Sequence, residues 1–376
     1  ITTLSQNSTS SYTNIYHHTS TLTNGAGDNS YRYAGGDYVL TEAGKATGAT
    51  MMIGYNNTVT TALIDFYCNG TKQYVGYVCD ASQAHYYLIK GDTTQYQTYK
   101  ETLNKAVEKG YLTKDNVKNF VCFGSTASPC PTDNLYRIIG VFGNNVKLIK
   151  YDYANSNLLG TNGDYSTSTY TKSSISSYKG NLTTINRYYW NNSTQKNTWS
   201  ESNLNKVNLN ANFITNIGAE WANKIDMTTW KVGGNTKSKI YYQPIKTVYQ
   251  NEIVNPVTTN STDNKTEYSA KIGLMYVSDY GFAAAPSAWT RTLQYFEQYG
   301  REDFKNVNWM YMGLGEWTIS RRADSAYIVF FVDDGGYVAN LYVGNCVFAV
   351  RPVFYLTSSI TYLSGDGTKT EPIRIN

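Results

Sequence analysis

The chain is poor in charge. Of its 376 residues only 16% are Asp, Glu, Lys or Arg, and the formal net charge is +4. No Lys/Arg run or basic helix stands out, which argues against a nucleic-acid partner. Histidine is scarcer still. His17, His18 and His85 are the full set, and none lies in a His-Glu-x-x-His or comparable metal frame. There is no G-x-S-x-G elbow. The stretch Gly233-Gly234-Asn235-Thr236-Lys237-Ser238 lacks the spacing of a phosphate loop and reads as a turn. No apolar run reaches membrane length and no signal peptide is present. With Ile1 first, the expectation is a mature or trimmed ectodomain whose anchor lies outside this chain. These absences predict a non-enzymatic protein with no cofactor and no metal.

Cysteine is sparse and odd in number: Cys68, Cys79, Cys122, Cys130 and Cys346. Neither close pair has the C-x-x-C spacing of a metal site. Cys68 and Cys79 flank a hairpin with Asn69-Gly70 at its tip, and Cys122 and Cys130 bracket the loop FGSTASP. Two short-loop disulfides are expected, and with them an oxidising compartment. Cys346 falls in an apolar strand and reads as a buried thiol.

What the chain has in abundance is hydroxyls and amides. Tyr reaches 36 residues, and Asn, Ser and Thr are plentiful. Such a surface is neutral and hydrogen-bonding, and Tyr adds rigid contact area with a polar tip. Strand formation in a β-rich extracellular protein accounts for most of the Tyr and Thr.

The C-terminal block organises the rest. Residues 326–332 and 337–342 read as strands around the turn Asp333-Asp334-Gly335-Gly336, and residues 346–356 as a third. Upstream, residues 136–142 and 146–151 form a hairpin turned by Gly143-Asn144-Asn145. Helices are expected over residues 94–109, 200–224 (broken at Gly218) and from Ser287 to Gly300. Residues 240–249 read as a strand, and residues 272–282 as a buried strand and turn. The pattern is α+β. Residues 1–36 form an N-terminal arm, 37–118 a small β-rich subdomain, and 119–376 the main domain, whose first and last strands pair.

The order LYRIIGVFGNNVKLIKYDY, NLNKVNLNANFITNI, KIGLMYVSDYG, GEWTISRR, FAVRPVFYL and YLSGDGTKTEPIRI resembles a family of uncharacterised surface domains of low-GC Gram-positive bacteria. That family has a C-type-lectin-like fold of the formylglycine-generating-enzyme type, often behind a prepilin-like N-terminal segment. The resemblance makes residues 37–118 an insertion. It implies an extracellular scaffold whose loops bind a glycan or a protein on a cell surface, with no particular ligand specified.

In such a fold a binding face forms ahead of the final strands. Tyr311, Arg321, Arg322, Asp324, Tyr337 and Tyr342 are the candidates there, since aromatics stack on sugars and Arg makes planar bidentate contacts. Trp309 and Trp317 are expected inside, and Arg351 is expected to pair with a buried carboxylate. The Glu-Pro-Asn loop and Trp-Asn-Asp strand of calcium-dependent lectins are missing, and lone Cys346 cannot supply the thiol pair of the oxygenase-like relatives. The turns at Asp333 and at Ser364-Gly365-Asp366-Gly367-Thr368 each offer too few oxygens for calcium. Glu316 and Asp324 are the only acidic pair near the face for a glycosidase-like reaction. The leading expectation is adhesin-like recognition. The competing one is a subunit of a pilus-like filament held by contacts between copies of itself.

Overall fold

A computed structural model describes residues 14–36, 38–40, 49–55, 62–68, 71–72, 112–114, 117–174, 176–257, 265–294 and 307–376. The expected Cys68–Cys79 bridge, the helix over 94–109 and His85 lie outside the described residues. The architecture is mixed α/β, with many short strands and few helices.

The opening hairpin is where the sequence predicts it. Strands Leu135–Phe142 and Asn145–Lys150 pair antiparallel, with Gly143 at φ 59° leading a two-residue turn. Every residue from Leu135 to Val141 is buried, so both faces of this strand are covered. The tail closes onto it. Val353–Tyr355 pairs with Asn145–Lys150 on one side and with Ile272–Gly273 on the other, placing Phe354 opposite Leu148.

The far edge of Leu135–Phe142 is shared by two short strands. Tyr31–Tyr33 pairs at Val141 and Gly140, and Phe120–Cys122 pairs at Leu135 to Arg137. The segments on either side of residues 37–116 therefore lie end to end along one strand. Ile15–His17 completes the seven-stranded sheet.

The C-terminal block does not form one sheet. Ile328–Val332 and Val338–Tyr342 join Glu316–Arg321 in a separate three-stranded sheet. The expected third strand is split: Val347–Phe348 pairs with Thr184–Tyr189, and Val353–Tyr355 enters the main sheet. Pro352, lacking an N–H, stands in the break and cannot continue a ladder.

Two further segments differ from expectation. Residues 240–249 hold no strand: the short helices Lys237–Ile240 and Ile245–Tyr249 are joined by a turn ending at Pro244, and Ile245, Val248 and Tyr249 bury one face. Residues 272–282 leave the sheet after Ile272–Gly273 and become the buried helix Val277–Phe282, whose first turn is capped by Asp279 accepting from the Tyr276 amide at 3.0 Å. The helical stretch after Trp199 is broken at Gly218, φ 83°, as expected, but most of it is π-helix, Leu204–Phe213.

One main core runs from Ile15 to Ile373 and holds Trp190, Trp199, Trp230, Trp289 and Trp317. The amide-rich composition turns partly inward. Asn119, Asn191, Asn197, Asn205 and Asn208 are fully buried. Asn208, for example, donates to the Leu159 and Asn162 carbonyls at 2.7 and 3.0 Å and accepts from the Asp164 amide at 3.0 Å. Buried amides must be satisfied, and here they staple loops to the helix.

Candidate functional site

Arg137 is an odd residue for its strand. It stands in the apolar run LYRIIGVF and its side chain is buried. The guanidinium is sandwiched between Phe120 and Trp309, 4.4 and 4.5 Å from the ring centroids. Its N–H groups donate to Asn119 Oδ1 at 2.6 Å and to the Trp309 and Val117 carbonyls at 3.1 Å each. All these acceptors are neutral. Burial lowers the Arg137 pKa to about 9, opposed by Tyr151 and reinforced by Arg351. The result is a buried cation with hydrogen bonds but no carboxylate among those acceptors.

A cleft of about 620 Å³ opens beside it. Phe120, Tyr151, Trp309, Tyr311 and Met312 give it apolar walls, and Lys118, Lys179 and Lys369 stand in its lining with Arg137. No lining residue is acidic. Lys369 Nζ lies 4.7 Å from the Tyr151 ring centroid and 3.2 Å from its hydroxyl. Lys179 Nζ lies 4.5 Å from the Tyr311 centroid. Lys118 meets Asp366 at 3.7 Å, with both side chains exposed to solvent. Ammonium groups over ring faces are attracted by the ring quadrupole, which helps hold Lys179 and Lys369 where they stand.

Backbone geometry sets these lysines in place. The Lys179 amide donates to the Met312 carbonyl at 3.0 Å. The next residue, Gly313, has φ 95°, and a Cβ there would stand 2.0 Å from the Ser177 carbonyl oxygen. The loop carrying Lys369 folds back because Gly367 takes φ 81° and offers its carbonyl to the Phe120 amide at 2.9 Å.

The six residues singled out from sequence do not share one face. Tyr311 lines the cleft but is only 3% exposed, and its hydroxyl donates to the Asp334 carbonyl. Arg321 is also 3% exposed and donates through Nε to the Val232 carbonyl at 3.1 Å. Burial lowers its pKa to about 10. Arg322 pairs with Asp324 through contacts of 3.0 and 3.1 Å. Tyr342 is 53% exposed at the far end of the strand from half-buried Tyr337. Of these residues, half-buried Arg322 and exposed Asp324 and Tyr342 reach the surface, while Tyr311 and Arg321 lie inside.

Other expectations resolve individually. Cys122 and Cys130 are disulfide-bonded. Cys346 is free and half-buried rather than buried, and burial raises its pKa. Trp317 is inside and Trp309 half-buried. Arg351 does pair with a buried carboxylate, that of Glu316, so Glu316 is not an acid facing a pocket with Asp324. The Asp333 segment is a hairpin turn with Gly336 at φ 85°. Among the described residues no three His, Cys, Asp or Glu side chains are grouped to hold a metal ion. Also among them, no helix is long and apolar enough to cross a membrane.

Comparison with protein-family models, curated proteins and solved structures finds no match to this chain. Sequence reasoning missed Arg137, Lys118, Lys179 and Lys369 as a group. Only Arg137 carried a local signal, a charge inside an apolar strand.

Proposed function

We propose that this chain is an extracellular, non-enzymatic recognition module of C-type-lectin-like fold, and that it holds an acidic saccharide in the Arg137 cleft. The observation that carries this reading is four cations and four aromatic rings lining one cleft without a carboxylate. Sugar rings stack on Trp and Tyr faces, while a uronate or sulfate group meets Lys and Arg. An incoming anion would also compensate the buried guanidinium, which here has only neutral hydrogen-bond acceptors.

Calorimetric titration with uronate-containing, sulfated and neutral oligosaccharides tests it. Acidic chains should bind and neutral ones should not, with affinity falling as salt rises. Lys179→Glu with Lys369→Glu should weaken binding at least tenfold, or about 1.4 kcal/mol. Failure of the whole acidic panel, or equal binding of neutral sugars, would sink the reading.

A second reading, assembly into a filament, is favoured by the tail. Tyr362–Ser364 pairs with Arg374–Ile375 in a small exposed ladder, where Tyr362 is 54% and Leu363 60% exposed. An uncovered strand edge with apolar side chains invites a second copy. Negative-stain images of the purified chain should then contain fibres that Leu363→Glu removes; uniformly single particles would dispose of it.

A further inference from the structure

A second group of buried charges lies nearer the turn of the hairpin than Arg137 does, where Lys147 pairs across from Gly140. Lys147, on the central strand Asn145–Lys150, points its Nζ at Asp279 Oδ2 across 2.5 Å. Both side chains are almost wholly buried. The two residues are 132 positions apart in sequence. Around the ammonium stand Tyr276, Phe142, Tyr355 and Trp230, with ring centroids at 4.5, 5.4, 5.4 and 5.6 Å.

We propose that Lys147 and Asp279 become joined by an intramolecular amide bond that ties the central strand to the buried helix Val277–Phe282. A proton passes from Nζ to the carboxylate along the existing contact, leaving a free amine and a neutral acid. The Nζ lone pair then attacks Asp279 Cγ. A C–N bond forms, one C–O bond breaks, and the departing hydroxyl takes a second proton from nitrogen and leaves as water. No redox change occurs and no co-reactant is needed.

The surroundings favour each step. The Tyr276 amide donates to Oδ2 at 3.0 Å, and Arg32 Nη1 stands 3.9 Å from Oδ1. These groups face the oxygens on which charge builds as the carbon becomes tetrahedral. Nucleophile and carbonyl are pre-positioned by the fold, which removes the entropic cost of bringing them together. The four rings exclude water, which is the reagent of the reverse reaction. Burial lowers the Lys147 pKa, with Asp279 opposing, so the free amine is more accessible than on a surface lysine.

Charge bookkeeping points the same way. Arg32 already has its own carboxylate in Asp28, at 2.5 Å. Glu252 is occupied by the Val277 and Ser278 amides at 3.0 and 2.9 Å and by the Ser320 hydroxyl. Converting the Lys147–Asp279 pair to an amide removes two buried charges and disrupts neither arrangement. The inference is independent of any ligand in the Arg137 cleft.

The test is an intact mass of the full chain, reduced and unfolded. The expected mass is one water below that of the sequence, and a tryptic map should contain one branched peptide carrying both Lys147 and Asp279. Lys147→Met and Asp279→Ala should each restore the sequence mass. Asp279→Asn should form the same bond with loss of ammonia. The unmodified mass in the parent chain, with both residues in linear peptides, would overturn the proposal. So would a water loss mapped to a cyclised aspartate. Neither readout depends on a variant folding.

Discussion

Arg351 grips Glu316 with two parallel contacts of 2.8 Å, Nε to Oε1 and Nη2 to Oε2, and both side chains are buried. The same Nη2 donates to the Met310 carbonyl at 2.7 Å. The pair therefore ties the three-stranded sheet to the chain that leads into Val353–Tyr355. Removing one partner strands a charge in the core. Glu316→Ala should lower unfolding free energy by about 3–5 kcal/mol, read from urea or guanidinium midpoints. A loss within 1 kcal/mol or so would mean the charge finds water.

His18 should make the protein acid-sensitive. It is fully buried, edge-on to Phe282 and tilted against Trp289, and its Nδ1 accepts from the Ala26 amide at 2.9 Å. Burial lowers its pKa to about 3, reinforced by Arg32 and opposed by Asp28. The unfolded chain thus takes up a proton near pH 6.5 that the folded chain refuses until about 3. Stability is complete above the unfolded value and falls as pH drops through that window, by up to about 1.4 kcal/mol per pH unit. His18→Gln should flatten this limb of a denaturation-versus-pH series. An unchanged slope would place the acid sensitivity elsewhere.

The Cys122–Cys130 bridge closes a short loop, with a sequence separation of 8. Loop-closure entropy puts its contribution at about 2–3 kcal/mol. Cys122→Ser with Cys130→Ser should lower the melting temperature measurably, and reductant should do the same to the parent chain. Equal melting with and without reductant would contradict this.

Gly313 is the most constrained of the cleft glycines. Its φ of 95° and the 2.0 Å approach to the Ser177 carbonyl leave no room for a methyl group. Gly313→Ala should cost more than about 2 kcal/mol and displace Lys179. A crystal structure of the variant with the Lys179–Met312 hydrogen bond intact would refute the link.

The surface patch of half-buried Arg322 with exposed Asp324 and Tyr342 gives a control. Arg322→Ala and Tyr342→Ala should shift stability by no more than about 0.5 kcal/mol. They should also leave acidic-saccharide binding unchanged, in contrast to the lysine reversals. A tenfold loss of binding from either would move the ligand site to this patch.

Some of this was readable in the chain. The Leu135 hairpin announces itself by its apolar run and Gly143-Asn144 turn, and both strands are found within a residue of expectation. Arg351 beside Pro352 in an apolar run implies a buried partner, and Glu316 is that partner. Residues 240–249 mislead because Ile, Tyr and Val favour strands, yet Pro244 opens a helix and the apolar spacing fits its buried face. The run LMYVSDYGF is buried all round, polar Ser278 and Asp279 included, so periodicity cannot separate a buried helix from a buried strand there. The cleft was illegible for a different reason. Its cations come from four distant segments that only the tertiary fold brings together.

The sheet order has a consequence for how the molecule is made. Val353–Tyr355 is the strand wedged between Asn145–Lys150 and Ile272–Gly273, yet the ribosome delivers it after both of them. Until that segment emerges, both of its neighbours hold unpaired edges, and the nascent polypeptide has no finished platform to rest on. Completion of this sheet is thus deferred until residues 353–355 have left the ribosome, long after the hairpin they close has been made.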